Sequence, residues 1–393
     1  MLNKKTVRDV AVNGKRVLVR CDFNVPLDKE TSSIITSDKR IVESLKTIKY
    51  LINAGAKVVL CSHLGKTGQN KSLEPVAKRL SELLEIDVKL LKDLKAKETK
   101  DVIFDMQDSE VVLLENTRMY EEEEKNDPKF AKLLASFGEI FVNDAFGSAH
   151  RAHASTEGVT HYLPSVCGFL IEKELDNLDR GINDPKRPLV AIVGGAKISS
   201  KIGVLISLLD KVDTLLLGGA MTYTFVKAQG GKIGKSLFEE DKTVIAKEVL
   251  KKAEEKNVKL VLPVDNVVAD EMTEMSNSYI TASNEIPDEY MGLDIGPKTI
   301  ELFKAQIKNA GTIVWNGPVG VFEIEKFSNG TKEIAEALAA SNATTIIGGG
   351  DSAAAIEKLG LEDKMTHIST GGGASLEFME GKKLPGIESL LDK

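Results

Sequence analysis

The residues of this 393-residue sequence that could do chemistry fall into two sets, one in each half of the chain. In the second half they are glycines that close short apolar runs: Gly194-Gly195, Gly218-Gly219, Gly317 with Gly320, Gly348-Gly349-Gly350 and Gly371-Gly372-Gly373. Glycine lets backbone N–H groups come close to a ligand and curl into anion-binding nests. One such pair means no more than a tight turn, whereas five clusters at successive run ends point to a ligand. Lys197 and Lys201 follow the first pair four residues apart, which would put both cations on one face of a helix start, and the set reads as a phosphate cradle. Asp351 follows Gly348–Gly350 directly and precedes an expected helix over Ser352–Leu359. A carboxylate there suits one contact to Mg2+, whose other ligands would be phosphate oxygens and water; a plain helix N-cap is the alternative.

Two common nucleotide motifs are absent. The pattern GxxxxGK[ST] is missed twice by one residue, because Leu60 and Gln229 stand where its first glycine belongs before Gly65-Lys66-Thr67 and Gly234-Lys235-Ser236. No GxGxxG fingerprint occurs, which weakens a dinucleotide reading.

In the first half the run ends carry charged and amide groups. They are Asp22-Phe23-Asn24, Ser62-His63-Leu64-Gly65-Lys66, Asn116-Thr117-Arg118 and Asp144-Ala145-Phe146-Gly147, the last leading into His150, Arg151 and His153; Arg40 lies on the first expected helix. Arginine forks match carboxylate and phosphate bidentately, so a small ligand bearing both groups would fit. Clustering with arginine favours ligand contact for His63, and less so for His150 and His153; His161 and His367 read as structural. The acidic run Glu121–Glu124 reads as a solvated helix start.

Such residues need a scaffold, and the spacing of the apolar runs supplies it. Runs at Arg16–Arg20, Lys57–Cys61, Val111–Leu114 and Ile140–Val142, and then at Leu189–Val193, Thr214–Leu217, Lys259–Leu262, Thr312–Trp315 and Thr344–Ile347, are too short for helices and do not alternate. That fits strands buried on both faces. Helical segments separate them; the clearest is Ser37–Asn53, with Ile41, Leu45, Ile48 and Ile52 on one face, Ser37 as N-cap and Gly55 as terminator. Alternating strands and helices predict an α/β fold with two parallel-sheet, Rossmann-like domains. Phe169–Arg180 reads as an amphipathic linker helix, closed by Gly181, Pro185 and Pro188.

Composition narrows the function further. With 52 Lys+Arg against 59 Asp+Glu the net charge is −7, so no nucleic acid or anionic membrane partner is expected. Cys21, Cys61 and Cys167 are widely spaced, which predicts small buried hydrophobes and neither a metal site nor a disulfide. The first residues hold no apolar signal segment, and no 18-residue apolar run occurs, so a cytoplasmic protein is expected.

The motifs, taken in order, resemble those of the phosphoglycerate kinase family. They are RVLVRCDFNVP (Arg16–Pro26), SHLG (Ser62–Gly65), LLENTR (Leu113–Arg118), DAFGSAHRAH (Asp144–His153), GGAKISSK (Gly194–Lys201), MGLDIGPK (Met291–Lys298), WNGPVGVFE (Trp315–Glu323), GGGDS (Gly348–Ser352) and TGGGA (Thr370–Ala374). The resemblance runs along nearly the whole chain. It implies that Asp22, Asn24, Arg40, His63, Arg118 and Arg151 bind 3-phosphoglycerate, beside Phe23, Leu64, Gly65 and Lys66 of the same segments. It implies that Lys201, Gly292, Glu323, Gly349, Gly350, Asp351 and Ser352 bind the nucleotide, with Glu323 on the ribose hydroxyls and Asp351 on Mg2+. Lys197, Asn316 and the helix start at Gly371, Gly372 and Gly373 would attend the phosphates or the group in flight. Residues 1–170 would form the 3-phosphoglycerate domain, with about 384–393 folding back onto it. Residues 171–186 would form the interdomain helix and linker, and 187–383 the nucleotide domain. Three departures stand out: Cys21 for the usual Val, Lys66-Thr67 for the usual Arg-Pro, and Asp288-Glu289-Tyr290 for a Gly-Trp-containing turn. Lysine at 66 loses a planar fork.

The expected activity is reversible phosphoryl transfer between ATP and the 3-phosphoglycerate carboxylate, a step of glycolysis, by a hinge-bending monomer. The nucleophile, with a pKa near ~3.5, is ionised at neutral pH and needs no general base. Catalysis then rests on alignment and charge stabilisation, assigned to Arg40, Lys197, Mg2+ and the Gly371–Gly373 amides. Domain closure would keep water from the acyl phosphate. Three rival readings are an NAD-dependent dehydrogenase, an exported solute-binding protein and an inactive homologue; the missing GxGxxG, the missing signal segment and the presence of Arg40, Lys201 and Asp351 argue against them in turn.

Overall fold

The structure is a computed structural model and describes residues 3–28, 30–31 and 33–393. It divides into two compact units, Met1–Asp176 with Lys383–Lys393 and Asn177–Lys382. Each is built on a six-stranded parallel sheet with helices in the connections, as the alternation of short apolar runs predicts. Among the described residues no helix is long and apolar enough to cross a membrane.

The first unit contains β1 (Arg16–Arg20), β2 (Lys57–Cys61), β3 (Val88–Leu91), β4 (Val111–Leu114), β5 (Ile140–Asn143) and β6 (Ser165–Cys167), ordered β3-β4-β2-β1-β5-β6. Its helices are α1 (Lys39–Asn53), α2 (Glu74–Leu84), α3 (Lys97–Phe104), α4 (Pro128–Ala135) and the start of α5 (Phe169–Ile182). In β1 and β2 every residue after the first is buried, which is why RVLVR and KVVLC are apolar without alternating. The edge strands β3 and β6 escape sequence reading: Lys89 of β3 is exposed, and β6 is three residues long and opens on Ser165. In α1 the buried residues include Ile41, Ile48 and Leu51, each stabilising by roughly 1.5–3 kcal/mol relative to exposure. Its start corrects the expected cap: the N-cap is Asp38, not Ser37, and the Asp38 carboxylate is taken by Arg79 Nε at 2.9 Å. Gly55, at φ +74°, terminates it as expected.

All three cysteines are free and buried; burial pushes the Cys61 thiol up to about 12, so it packs as a small hydrophobe. The C-terminal segment belongs to this unit. Its helix α13 (Pro385–Glu388) is tied in by Gly386 N–H to the Ala149 carbonyl (2.9 Å) and by Asn143 Nδ2 to the Gly386 carbonyl (2.8 Å). The expected return of the tail is met.

The second unit has β7 (Leu189–Val193), β8 (Thr214–Leu217), β9 (Lys232–Ile233), β10 (Lys259–Val261), β11 (Asp265–Ala269), β12 (Ser278–Ala282), β13 (Glu285–Ile286), β14 (Met291–Ile295), β15 (Thr312–Asn316), β16 (Thr344–Gly348) and β17 (His367–Ile368). The main sheet is ordered β10-β8-β7-β15-β16-β17, and β12-β11-β14 form a small antiparallel sheet. The helices are α6 (Ile202–Leu208), α7 (Met221–Ala228), α8 (Thr243–Glu255), α9 (Pro297–Lys308), α10 (Asn329–Ala339), α11 (Gly350–Lys358) and α12 (Gly373–Met379). The antiparallel sheet was not legible in the sequence because β12 carries exposed residues where a buried strand would carry apolar ones. Helix α5 runs on through Gly181, where helix termination is expected from sequence. A Cβ there would lie 2.0 Å from Ile346 Cδ1, so close packing explains the glycine.

Candidate functional site

Strand order reverses between β1 and β5 in the first unit, since β2 and β4 lie to one side of β1 while β5 and β6 lie to the other. The crevice beyond the carboxyl ends of such strands is where open α/β sheets bind ligands. The residues after β1, β2, β4 and β5 therefore share one end of the sheet, and the cationic set picked from sequence is placed there.

A fully buried residue that sequence reading missed organises this end. Arg20, the last residue of β1, is 1% exposed. It donates through Nε to Ser155 Oγ (2.7 Å), through Nη2 to His63 Nδ1 (3.1 Å) and through Nη1 to the Cys21 carbonyl. A buried guanidinium needs a counter-charge, and the buried Glu123 is linked to it through the Ser155 hydroxyl, with Asp22 also close by. The Glu123 carboxylate accepts from the Ser155 hydroxyl, from Ser155 N–H (3.0 Å) and from Thr117 Oγ1 (3.3 Å). Burial, with Arg20, Arg118 and Arg40 nearby, holds His63 well below its ordinary pKa even though Asp22 pulls the other way. His63 is therefore neutral; with Nδ1 accepting from Arg20, its proton sits on Nε2, which is a donor.

Arg40 donates through Nη1 to the Asp22 carboxylate at 2.7 Å. Burial alone would raise Asp22, yet the Arg40 guanidinium beside it, with Arg20 close by, brings it down to about 2, so it is an anion braced against the arginine. Asn24 Oδ1 accepts from Gly65 N–H (2.8 Å), and Arg118 Nη1 donates to the Gly65 carbonyl. Phe23 and Leu64 are core side chains at 0% and 1% exposure, so any part they take is through the backbone. Leu64 has both backbone groups bonded to the Asn116 side chain. Lys66 and Arg151 are exposed. Burial pushes His153 down to about 4, with Arg118 and Arg20 adding to the effect. The acidic run is not a solvated helix start: Glu123 is 0% exposed in an irregular turn, and Glu124 pairs with Arg118. Two adjacent arginines needed counter-ions, and the run provides them.

In the second unit the order reverses between β7 and β15, and the glycine clusters follow β7, β8, β15, β16 and β17. Packing accounts for some of them. A Cβ on Gly194 would lie 2.0 Å from the Pro318 carbonyl oxygen and one on Gly317 would lie 2.2 Å from the Gly194 carbonyl oxygen, so the two loops cross with no room for side chains. Likewise a Cβ on Gly292 would meet the Tyr223 hydroxyl at 1.9 Å. Ser352 is fully buried and accepts from Gly317 N–H at 2.6 Å, which locks the β15 loop to α11.

Other groups are left facing outward. Lys201 donates to Asn316 Oδ1, and burial lowers its pKa while Asp351 and Glu380 oppose that. Asn316 is 2% exposed, and its Nδ2 has no hydrogen-bond partner although it lies beside Gly348 and Gly349. An unsatisfied buried amide next to a glycine turn calls for an explanation, and a free donor for an outside acceptor is one. Gly349, at φ +88°, is the N-cap of α11, so Asp351 is not the cap; it stands exposed in the first turn. Glu323 and Gly373 are exposed, Gly371 is buried, and Gly372 caps α12. The helix-face reading of Lys197 and Lys201 is corrected. Lys197 has extended backbone and a short 3-10 turn, Ile198–Ser200, separates the two, so α6 begins only at Ile202. No group of three or more His, Cys, Asp or Glu among the described residues could hold a metal ion.

The family model for phosphoglycerate kinase matches residues 7–382. The chain is 58% identical to the phosphoglycerate kinase of Clostridium novyi over 399 residues, with 100% of both chains covered. It is 57% identical to that of Clostridium tetani, covering 100% of this chain and 98% of the relative. Among solved structures it is similar to phosphoglycerate kinase from Coxiella burnetii, with a TM-score of 0.89, 44% identity and 98% of each chain covered. The enzyme from Pyrococcus horikoshii OT3 aligns with a TM-score of 0.84 at 33% identity, over 99% of this chain and 98% of that one.

Proposed function

We propose a division of labour between the two sites, starting from the fact that this chain belongs to the phosphoglycerate kinase family and is a phosphotransferase acting between ATP and 3-phosphoglycerate. In this reading the first unit binds 3-phosphoglycerate through Asp22, Asn24, Arg40, His63, Lys66, Arg118 and Arg151. The second binds the nucleotide through Lys201, Asn316, Glu323, Gly349, Gly350 and Asp351, with Lys197 and the Gly371–Gly373 amides serving the transferring group. The observation that carries it is the contrast in donors: bundled guanidinium and imidazole groups at one sheet end, and an orphaned Asn316 amide beside Lys201 and glycine turns at the other.

Chemically, the substrate carboxylate is ionised and attacks without a base. His63 donates from Nε2 and holds the ligand, and Arg40, braced by Asp22, aims its positive charge at the transferring group. The exposed Asp351 carboxylate fits a single hard-oxygen contact to Mg2+, which when bound neutralises phosphate charge. The reading also includes a monomeric cytoplasmic enzyme whose units move during the cycle. A coupled assay with ATP, Mg2+ and 3-phosphoglycerate tests it, together with calorimetry of each ligand on Arg118→Ala and Lys201→Met. Each variant should weaken only its own ligand. Loss of nucleotide binding in Arg118→Ala with 3-phosphoglycerate binding intact would sink the assignment.

A further inference from the structure

The acidic turn that the sequence analysis set aside holds a charge that the proposed reaction does not use. Glu124 Oε1 lies 3.2 Å from Arg118 Nε. Arg118 is 6% exposed on its side chain and Glu124 is 40% exposed, so the carboxylate reaches the guanidinium from the solvent side. The contact is ionic but badly angled, because Arg118 Nε has no hydrogen-bond partner despite being buried. The Thr67 side chain sits beside the same carboxylate and, with Arg118 and Arg151, helps to hold it below its ordinary range. One carboxylate thus faces basic groups from two segments, and these belong to the cluster that sequence and fold assign to an anionic ligand. Thr67 is one of the two positions where the chain departs from the usual Arg-Pro, so the hydroxyl brace belongs to this chain.

We propose that Glu124 is an internal counter-ion of the 3-phosphoglycerate site, occupying the Arg118 fork until an anionic ligand displaces it, and so setting the affinity of this chain for its acid substrate. The inference rests on the assignment of that ligand to the first unit. The ligand end concerned is a phosphate monoester, which needs several donors and is repelled by a fixed carboxylate a few ångströms away. Glu124 can leave without moving the backbone, because the neighbouring Glu123 anchors the turn through Ser155 and Thr117 while Glu124 itself is partly exposed. A poorly angled ion pair is cheap to break, and Arg118 Nε then gains the hydrogen-bond partner it lacks.

The test is calorimetry on the full chain with 3-phosphoglycerate and, separately, with inorganic phosphate. Glu124→Gln should bind both roughly 5- to 10-fold more tightly than the unaltered chain, because a like charge is removed, with the KM for ATP unchanged. Thr67→Val, which frees the carboxylate without deleting it, should tighten binding by roughly 2-fold. Glu124→Asp keeps the charge and should stay near the original affinity. Unchanged or weaker binding in Glu124→Gln would overturn the proposal, since Glu124 would then be a brace for Arg118. Failure of the unaltered chain to bind 3-phosphoglycerate would overturn the underlying assignment instead.

Discussion

The two sheet ends are built from opposite materials. In the first unit the donors are long cationic side chains, and three arginines are matched internally: Arg40 with Asp22, Arg20 with Glu123 through Ser155, and Arg118 with Glu124. In the second they are glycine turns, one half-buried lysine and an asparagine amide without a partner. Side-chain forks give shape-specific recognition of a small acid, but they must be desolvated, and so they come with buried carboxylates. Backbone donors need no counter-ion, and they need glycine where loops cross too closely for a Cβ. On the proposed assignment the chain would bind one anion by charge matching and the other by geometry.

The contrast is most easily broken at Arg20. Arg20→Met removes the cation linked to the buried Glu123 through Ser155, and removing one partner of a buried charged network costs about 3–5 kcal/mol. Trp315, the sole tryptophan, is fully buried in the second unit, so its fluorescence reports that unit separately from circular dichroism of the whole chain. In urea, the dichroism transition of Arg20→Met should move to lower concentration while the fluorescence transition stays; coincident curves matching the unaltered chain would mean that Glu123 is already compensated. Next comes Arg40→Ala, which should lower kcat by roughly 10²-fold, about 2.7 kcal/mol, because its charge acts mainly on the transferring group. Arg40→Lys should recover only part of that, as a point charge without the fork. A variant that changes KM alone would make Arg40 a binding residue.

The sequence carried the scaffold further than the wiring. Nine apolar runs were readable because parallel strands buried on both faces cannot be polar, and their bounds match β1, β2, β4, β5, β7, β8, β10, β15 and β16 within a residue. The edge strands β3, β6 and β17 and the β12-β11-β14 sheet were not, since β6 and β17 are only 3 and 2 residues long and β3 and β12 carry exposed residues that interrupt an apolar run. Arg40, His63 and Arg118 stood out by type and position, as did Asp22, the partner of Arg40, but Arg20 beside His63 and Glu124 beside Arg118 did not. Nothing local marks Glu123 as buried and Glu124 as half-exposed, because that depends on which way an irregular turn faces. Arg20 did leave a signal: a charged residue closing an otherwise apolar run, at the strand next to the reversal point. For the glycines the sequence named the positions and left the cause open; the structure splits them between loop crossing, as at Gly194 and Gly317, and helix capping, as at Gly349.

Titration sharpens the comparison with opposite signs. Asp22 is held at about 2 against ~3.9 unfolded, so its contribution of about 2 kcal/mol is present above pH ~4 and lost as pH falls towards 2. Asp294, in the second unit, accepts from Gly330 N–H at 2.6 Å, and burial raises it to about 7. Its contribution is complete below its unfolded value and fades as pH rises through 7. Asp294→Asn keeps an acceptor for Gly330 and should gain stability relative to the unaltered chain between pH 5 and 8, read by Trp315 fluorescence in urea. A stability difference that stays constant over that range would show that Asp294 is ionised throughout.

The smallest expected effect falls on His63, and it decides between two kinds of chemistry. The imidazole is neutral, accepts from Arg20 through Nδ1 and has only a donor to offer at Nε2. A carboxylate nucleophile has no proton to give up, so a base at this position would have nothing to do. His63→Gln retains an N–H donor of similar reach. It should raise the KM for 3-phosphoglycerate by roughly 5- to 10-fold and leave kcat within about 2-fold, because it weakens an interaction made equally in ground and transition states. The pH profile of kcat/KM between 6 and 8 should be superimposable for the two proteins, since a histidine held neutral throughout adds no titration there. A collapse of kcat with KM unchanged, or a lost alkaline-rising limb in the variant, would mean that His63 moves a proton in the reaction and that the base-free mechanism is wrong.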